Sequence, residues 1–335
     1  MLPKLILCLA AAANVGDWIA QEGGSITRDA SGQVVAIDLT GSWITDADLR
    51  RLESFNRLRS LNLTRTKITD VGMEHLAKLT SVTDLNLYFA EYITEDGIAH
   101  LKGWTSLERL NLHGTKVTSK VFPILARLTA LKSLDLGSTQ IDDEGFEELA
   151  GLPRLEELAI GANRLTGSCL PLLKPLAQLR RLDVGGIQRV DSGLWGVALT
   201  DYNLARLAAL TQLESLTLSG ANLSDRGVDR PGQAEAIRGE LRDLSPLAGL
   251  VNLRMLDLSN TPVTASALTV LASMPRLHEL RLGLTPHITD ASVEKLLAMK
   301  QVKVLYVGSS GISADGLARL RAEGRYDKLD AGDAQ

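Results

Sequence analysis

Aromatic residues make up only 4% of the 335 residues, against 45% apolar residues overall, so leucine, isoleucine, valine and alanine must fill the interior. Cysteine is scarcer still. Cys8 and Cys169 are too few for a disulfide framework or a Cys-based zinc site, and Cys169 falls where a small buried hydrophobe is expected rather than a reactive thiol. An excess of either charge is also lacking. With 36 basic and 40 acidic residues the formal net charge is -4, which offers no footprint for nucleic acid or an anionic membrane surface, and no nucleic-acid partner is expected. Beyond the first residues no apolar run approaches the roughly 18 needed for a membrane span. The signatures G-x-x-x-x-G-K-[ST], G-x-S-x-G, H-E-x-x-H and G-x-G-x-x-G do not occur.

What the chain has is a repeat. Leu58-Arg-Ser-Leu61-Asn-Leu63-Thr-Arg-Thr66-Lys-Ile68 returns as Leu107-Glu-Arg-Leu110-Asn-Leu112-His-Gly-Thr115-Lys-Val117 and as Leu131-Lys-Ser-Leu134-Asp-Leu136-Gly-Ser-Thr139-Gln-Ile141. The second apolar residue of each copy falls at Ile37, Leu61, Leu85, Leu110, Leu134, Leu158, Leu182, Leu216, Leu256, Leu280 and Leu305, eleven copies with a basic period of 24. L-x-x-L-x-L alternates as a strand with one buried face does, and the following Ile68 to Leu79 changes to spacings of three and four, the period of a short helix. Thr69 or Asp70 is placed to cap that helix. One strand-plus-helix unit cannot bury its own apolar edge, so it stacks on the next: a right-handed α/β solenoid is predicted, with a concave parallel sheet and short helices on the convex side. Ten steps of about 4.8 Å give an inner arc on the order of 50 Å, the scale of a macromolecular surface.

These motifs resemble the leucine-rich repeat family over about residues 34 to 320. The Asn that many members place after the strand is kept only at Asn163; Ser42, Thr66, Thr115, Thr139, Thr261, Thr285 and Ser310 fill the place elsewhere. With the recurrent I-T-D-x-G-L, as at Ile68 to Met73 and Ile44 to Leu49, the chain is similar to bacterial repeat proteins akin to the repeat part of F-box-type adaptors, and Leu241 to Leu250 is similar to the outer segments of internalin-like repeats. The resemblance implies protein binding without catalysis.

Three segments are read. Residues 1–33 hold a leader or an N-terminal cap: Lys4, the apolar run Leu5 to Leu9 and Ala10 to Ala13 offer a cleavage site, whereas Ala10 to Gln21 reads equally as a capping helix with Trp18 and Ile19 inward. Ser25-Ile26-Thr27 and Ala30-Ser31-Gly32 look like a hairpin leading into the first repeat strand. Residues 34–320 are the repeat domain, with insertions near 188–198 and 226–240 that fall on one face of a solenoid, often the binding face. Residues 321–335 lose the pattern and are read as a polar cap or a disordered end. The compartment follows the N-terminus: secreted or cell envelope if residues 1–13 are cleaved, otherwise cytoplasmic.

The outward positions of L-x-x-L-x-L form columns across the sheet. Glu108, Lys132, Glu156, Arg180, Glu214 and Arg254 alternate in sign and should neutralise one another. Asp38, Asn62, Asn86, Asn111 and Asp135 give a polar, mildly acidic column; the next begins Thr40, Thr64, Tyr88, His113 and then runs through Gly and Ser, as tight strand exits demand. Asn86, Tyr88, Phe89, Arg109, Asn111 and His113 form the expected ligand-binding patch, with Trp195 in the first insertion and Tyr306 as further anchors. His75 and His100 occupy matching places in adjacent repeats near Glu74, but lack a third ligand, and His278 and His287 lack a nucleophile, so no metal, cofactor or enzymatic activity is expected. The expected protein is a monomeric, non-enzymatic scaffold that presents its sheet to a protein ligand. A substrate-recognition adaptor of a ubiquitin-ligase type complex and recognition of cell-envelope carbohydrate are the alternatives.

Overall fold

The computed structural model describes residues 16–332, except 187, 191–192, 196–197, 221 and 225–240; for 188–190, 193–195, 198–203 and 222–224 it describes the backbone alone. The leader-like residues 1–13 and the insertion 226–240 lie outside the described residues. The chain divides into two compact units, one of residues 1–141 with 145–155 and one of 142–144 with 156–335.

The first unit opens with residues 16–21, a helical turn that buries Trp18 and Ile19. Strand β1 (Ser25–Arg28) then pairs antiparallel with β2 (Val34–Asp38). From there the chain repeats one unit: β3 (Ser60–Asn62), β4 (Asp84–Asn86), β5 (Arg109–Asn111) and β6 (Ser133–Asp135) follow in parallel register, Ile37 beside Leu61, Leu85, Leu110 and Leu134. Only the middle residue of each three-residue strand is buried, as a pleat with one core face requires.

In the second unit β7 (Glu157–Ala159), β8 (Arg181–Asp183), β12 (Ser215–Thr217), β14 (Met255–Asp257), β15 (Glu279–Arg281), β16 (Val304–Tyr306) and β17 (Lys328–Asp330) pair in parallel with one another, Leu158 to Leu329 in register. The tail adds a strand where the sequence predicts a polar cap or a disordered end: Leu329 is a lone repeat leucine in a polar context, 24 residues after Leu305. Around the first insertion β9 (Gln188–Val190) pairs antiparallel with β10 (Gly193–Trp195), and β11 (Ala198–Thr200) pairs parallel with β13 (Asn222–Ser224).

The side opposite the strands is helical, but in two forms. An α-helix forms over Asp70–Leu76 and buries Met73 and Leu76. The segment of Leu241, Leu244, Leu247, Leu250 and Leu253 is instead a 3-10 helix over Ser245–Gly249, although Met73, Leu76, Leu79 and Val82 recur by the same threes. The 3-10 geometry eclipses residues i and i+3, so a period of three puts every leucine inward.

Two sets of polar bonds recur along the repeats, one within each repeat and one between neighbours. In the place that family members give to Asn, the buried hydroxyls of Ser42, Thr66 and Thr139 each donate at 2.8 Å to the carbonyl three residues back. The amide of Asn163 satisfies two carbonyls, those of Ile160 and Gly161. Threonine thus does part of the same work in a neutral, buried place where an orphan carbonyl would be costly. The second set explains T-D-x-G. Thr69 caps its own helix by accepting from the Val71 N–H, whereas Asp70 reaches forward to the next repeat, accepting from the Thr94 N–H at 2.8 Å and its hydroxyl at 2.6 Å. Asp46 does the same to Thr69, Glu95 to Thr118 and Asp290 to Ser313. A Cβ at Gly72, Gly97 or Gly316 would strike the carboxylate of Asp46, Asp70 or Asp290, which is why that position is glycine.

Candidate functional site

The candidate site grows out of the strand exits on the sheet side of the first unit. Each polar residue that closes a strand folds its side chain over the following turn. Asn86 Oδ1 accepts from the Tyr88 N–H at 3.0 Å, and Asn111 Oδ1 accepts from the His113 N–H at 2.9 Å. Asp38, Asp135, Asp183 and Asp257 make the same bond two residues on. The acidic and amide column is thus first of all a row of Asx turns that cap strand exits. This use leaves the Nδ2 amides of Asn86 and Asn111 without a protein partner among the described residues, fixed in direction by the oxygen they share. Such donors are preorganised for a ligand.

The next residues carry the aromatic groups. The Tyr88 and His113 rings stack at 5.0 Å and 24°, Phe89 meets Tyr88 edge-on at 4.7 Å, and Phe89 lies 5.5 Å from His113. Two glycines make the room. A Cβ at Gly114 would sit 2.8 Å from Phe89 Cδ1, and one at Gly137 2.5 Å from His113 Nδ1. Gly137 both serves the strand exit and clears the space of the His113 ring.

Beside this trio lies an open cleft of about 370 Å³, lined by Asn62, Asp84, Asn86, Arg109, Asn111 and Asp135 among others. Arg109 is ion-paired with Asp84 across neighbouring strands, and His113 Nδ1 stands 3.4 Å from Asp135 Oδ1. The floor thus offers amide donors, carboxylate acceptors and one guanidinium, all held by neighbours before any ligand arrives. Six of the eight residues expected from the sequence, Asn86, Tyr88, Phe89, Arg109, Asn111 and His113, come together here.

The other two do not join them. Tyr306 belongs to the second unit, where Arg281 and Lys328 stand 5.0 and 4.7 Å from its ring and Lys328 Nζ donates to its hydroxyl at 3.2 Å. Partial burial works against the Arg281 charge, but Glu279 at 2.6 Å and Asp257 outweigh it and hold the guanidinium above its usual pKa. The side chain of Trp195 lies outside the described residues.

The alternating column pairs as its signs require: Lys132 with Glu108 at 2.9 Å in the first unit, and Glu214 with Arg180 at 3.8 Å and Arg254 at 3.5 Å in the second. On the helical side His75 Nδ1 contacts Glu53 at 2.8 Å, and Glu74 takes no part in that pair. Among the described residues no group of three or more His, Cys, Asp and Glu is arranged to hold a metal ion. Cys169 is fully buried, and burial beside the Asp143 carboxylate pushes its thiol far above the range in which it would react.

Sequence reasoning missed one group. Trp43 and Tyr92 are 77% and 49% exposed, and Lys67 and Lys116 lie over them, 4.7 and 5.4 Å from the ring centres. All four stand one residue before the Ile or Val that opens the helical segment, so tabulating that column would have shown the alternation.

The family model described as Leucine Rich repeat matches residues 57–77 and 128–150. Those two segments are leucine-rich repeats, and the fold is of the leucine-rich-repeat kind. Among solved leucine-rich-repeat structures, an internalin (inlF) of Listeria monocytogenes superimposes with a TM-score of 0.53 at 19% identity, covering 91% of this chain and 92% of that one. The mouse RP105/MD-1 complex gives 0.52 at 21% identity, over 81% of this chain and 42% of the other. Internalin C2 of Listeria monocytogenes is 26% identical over 68% of this chain and 81% of its own, with a TM-score of 0.49. These likenesses are of fold. Comparison with curated proteins returns no match.

Proposed function

We propose that this leucine-rich-repeat protein is a non-enzymatic scaffold that binds a protein ligand on the sheet side of its first unit. The observation that carries the reading is the Tyr88–Phe89–His113 trio, held at the rim of a cleft whose Asn86 and Asn111 amides are fixed by their own turns. The mechanism is rigid display. Short strands and Asx turns immobilise the contact groups in the free protein, so little side-chain entropy is lost on binding, and a few aromatic anchors supply most of the affinity. The mouse RP105/MD-1 complex is a leucine-rich-repeat protein solved with a partner, which supports protein binding as the use of the fold.

A photoreactive amino acid at Ser60, in the cleft, is compared with one at Lys78 on the exposed helical side, in lysate of the host cell. Discrete adducts are expected from position 60 alone, and the double substitution Tyr88→Ala/His113→Ala should weaken capture by about 30-fold, as loss of a 2 kcal/mol hot spot would. Equal adducts from both positions, or capture indifferent to the double substitution, would remove the sheet-side reading.

A further inference from the structure

We propose that the turn edge beside the sheet, built from Arg65, Lys67, Tyr92 and Lys116, is a docking strip for an acidic, extended polypeptide. It adjoins the aromatic trio, with which it shares Phe89, but Arg65, Lys67, Tyr92 and Lys116 do not line the cleft of Asn86 and Asn111, and the proposal stands whether or not that cleft binds a protein. Three departures from the repeat coincide there.

The first is backbone strain. The turn residue of every repeat is left-handed; glycine fills it at Gly41, Gly114, Gly186 and Gly220 and short side chains at Ser138, Ala162, Asn260 and Ser309, whereas Arg65 and Phe89, like Leu284 in the second unit, place a long or bulky side chain there at φ 55°, 52° and 56°. A long or bulky side chain in that region is disfavoured, and such strain persists where the side chain has a use.

The second is exposure and charge. Trp43, Lys67, Tyr92 and Lys116 alternate aromatic and cation along one column, so each ammonium is steered by the ring beneath it. Among the described residues Arg65, Lys67 and Lys116 make no ion pair with a carboxylate, while Arg109, Lys132 and Arg181 on the sheet all do. On a chain of net charge -4 this edge is locally positive.

The third is an extra residue. The spacing from Leu85 to Leu110 is 25 rather than 24, and Glu91 and Tyr92 of the turn that absorbs it wall a cleft of about 320 Å³ with Arg65, Thr66, Lys67 and Phe89. Cations in a row with an aromatic-lined cleft between them fit a chain whose carboxylates alternate with apolar or aromatic side chains. A polyphosphate backbone fits less well, because Glu91 sits in the cleft and Asp38, Asp84 and Asp135 line the adjoining sheet.

The test selects twelve-residue random peptides, displayed on phage, against the full chain, and measures the selected peptides by fluorescence anisotropy. Enrichment in Asp and Glu with interspersed aromatic residues is expected, with affinity falling at least tenfold on Lys67→Glu/Lys116→Glu and about fivefold on Tyr92→Ala. Arg65→Gly removes a cation while suiting the left-handed turn, and should weaken binding with no loss of thermal stability. Selection without acidic enrichment, no selected peptide, or affinity unchanged by Lys67→Glu/Lys116→Glu overturns the proposal, as does a thymidine oligonucleotide that binds more tightly than the peptides. Peptides that lose affinity on Tyr88→Ala/His113→Ala but not on Lys67→Glu/Lys116→Glu would uphold the sheet-side reading and sink this one; the reverse pattern would do the opposite.

Discussion

Gly97 and Asp70 show how one residue choice dictates another a full repeat away. Asp70 spends both carboxylate oxygens on Thr94, and the Gly97 position faces that carboxylate so closely that no Cβ fits. Gly97→Ala must therefore push Asp70 off Thr94, and should cost about 1–3 kcal/mol, the usual range for overpacking a tight site. Asp70→Ala alone loses two hydrogen bonds to a charged acceptor, each worth about 1.5–3 kcal/mol at most when buried and less here, where the group is half-exposed. In the double variant the clash has no target. Urea denaturation of the four proteins should give a double-variant loss smaller than the two single losses added, by about 1 kcal/mol. Strict additivity would mean that Gly97 is glycine for some other reason.

At the scale of the element, the cross-repeat carboxylates link folding to pH. Asp290 is held below the ordinary carboxylate pKa by the Ser313 hydroxyl and then by the Ser313 N–H; at Glu95 burial pushes the other way, and bonds that include those to Thr118 outweigh it. A depressed folded pKa means that the unfolded chain binds more protons in acid, so the contribution is complete above the ordinary value near 4 and is lost as pH falls through the folded value. The urea midpoint should drop between about pH 5 and 3, and Asp290→Asn, which keeps an acceptor but cannot be protonated, should drop less steeply there. Equal slopes would detach this ladder from acid stability. The same elements show what could be read in advance. The strand and its buried leucines were legible because period 2 and a spacing of 24 are properties of composition along a line. The Thr-for-Asn substitution was visible too, but its chemistry, one carbonyl satisfied instead of two, needed coordinates. The choice of 3-10 over α was not legible, since Met73, Leu76, Leu79 and Val82 run in the same threes as Leu241 to Leu253. Asp70 was assigned to its own helix because local capping is the nearest use of an Asp there, whereas its partner lies 24 residues on. Of the candidate site, Tyr88 and His113 were legible as a column with Phe89 beside it, but the exposed edge of Trp43 and Tyr92 was not, since exposure depends on which way a turn leaves the strand.

For the molecule as a whole, a stack of repeats with nearest-neighbour contacts predicts that damage stays local in space and spreads by layers. Leu85 is 2% exposed and lies in register between Leu61 and Leu110, with its strand bonded on both edges. Leu85→Ala removes core volume that the flanking layers cannot refill, because each is pinned by its own Thr, Asx and Asp ladders, and should cost about 2–5 kcal/mol. A globular core would share that loss among all its parts, and hydrogen exchange would quicken evenly. A layered core should instead show the largest loss of protection in the amides of β3, β4 and β5, with β14 and β15 near their wild-type rates under conditions that keep the chain folded. Uniform acceleration from β3 to β15 would show that the repeats unfold as one cooperative block and that nearest-neighbour stacking does not govern their stability.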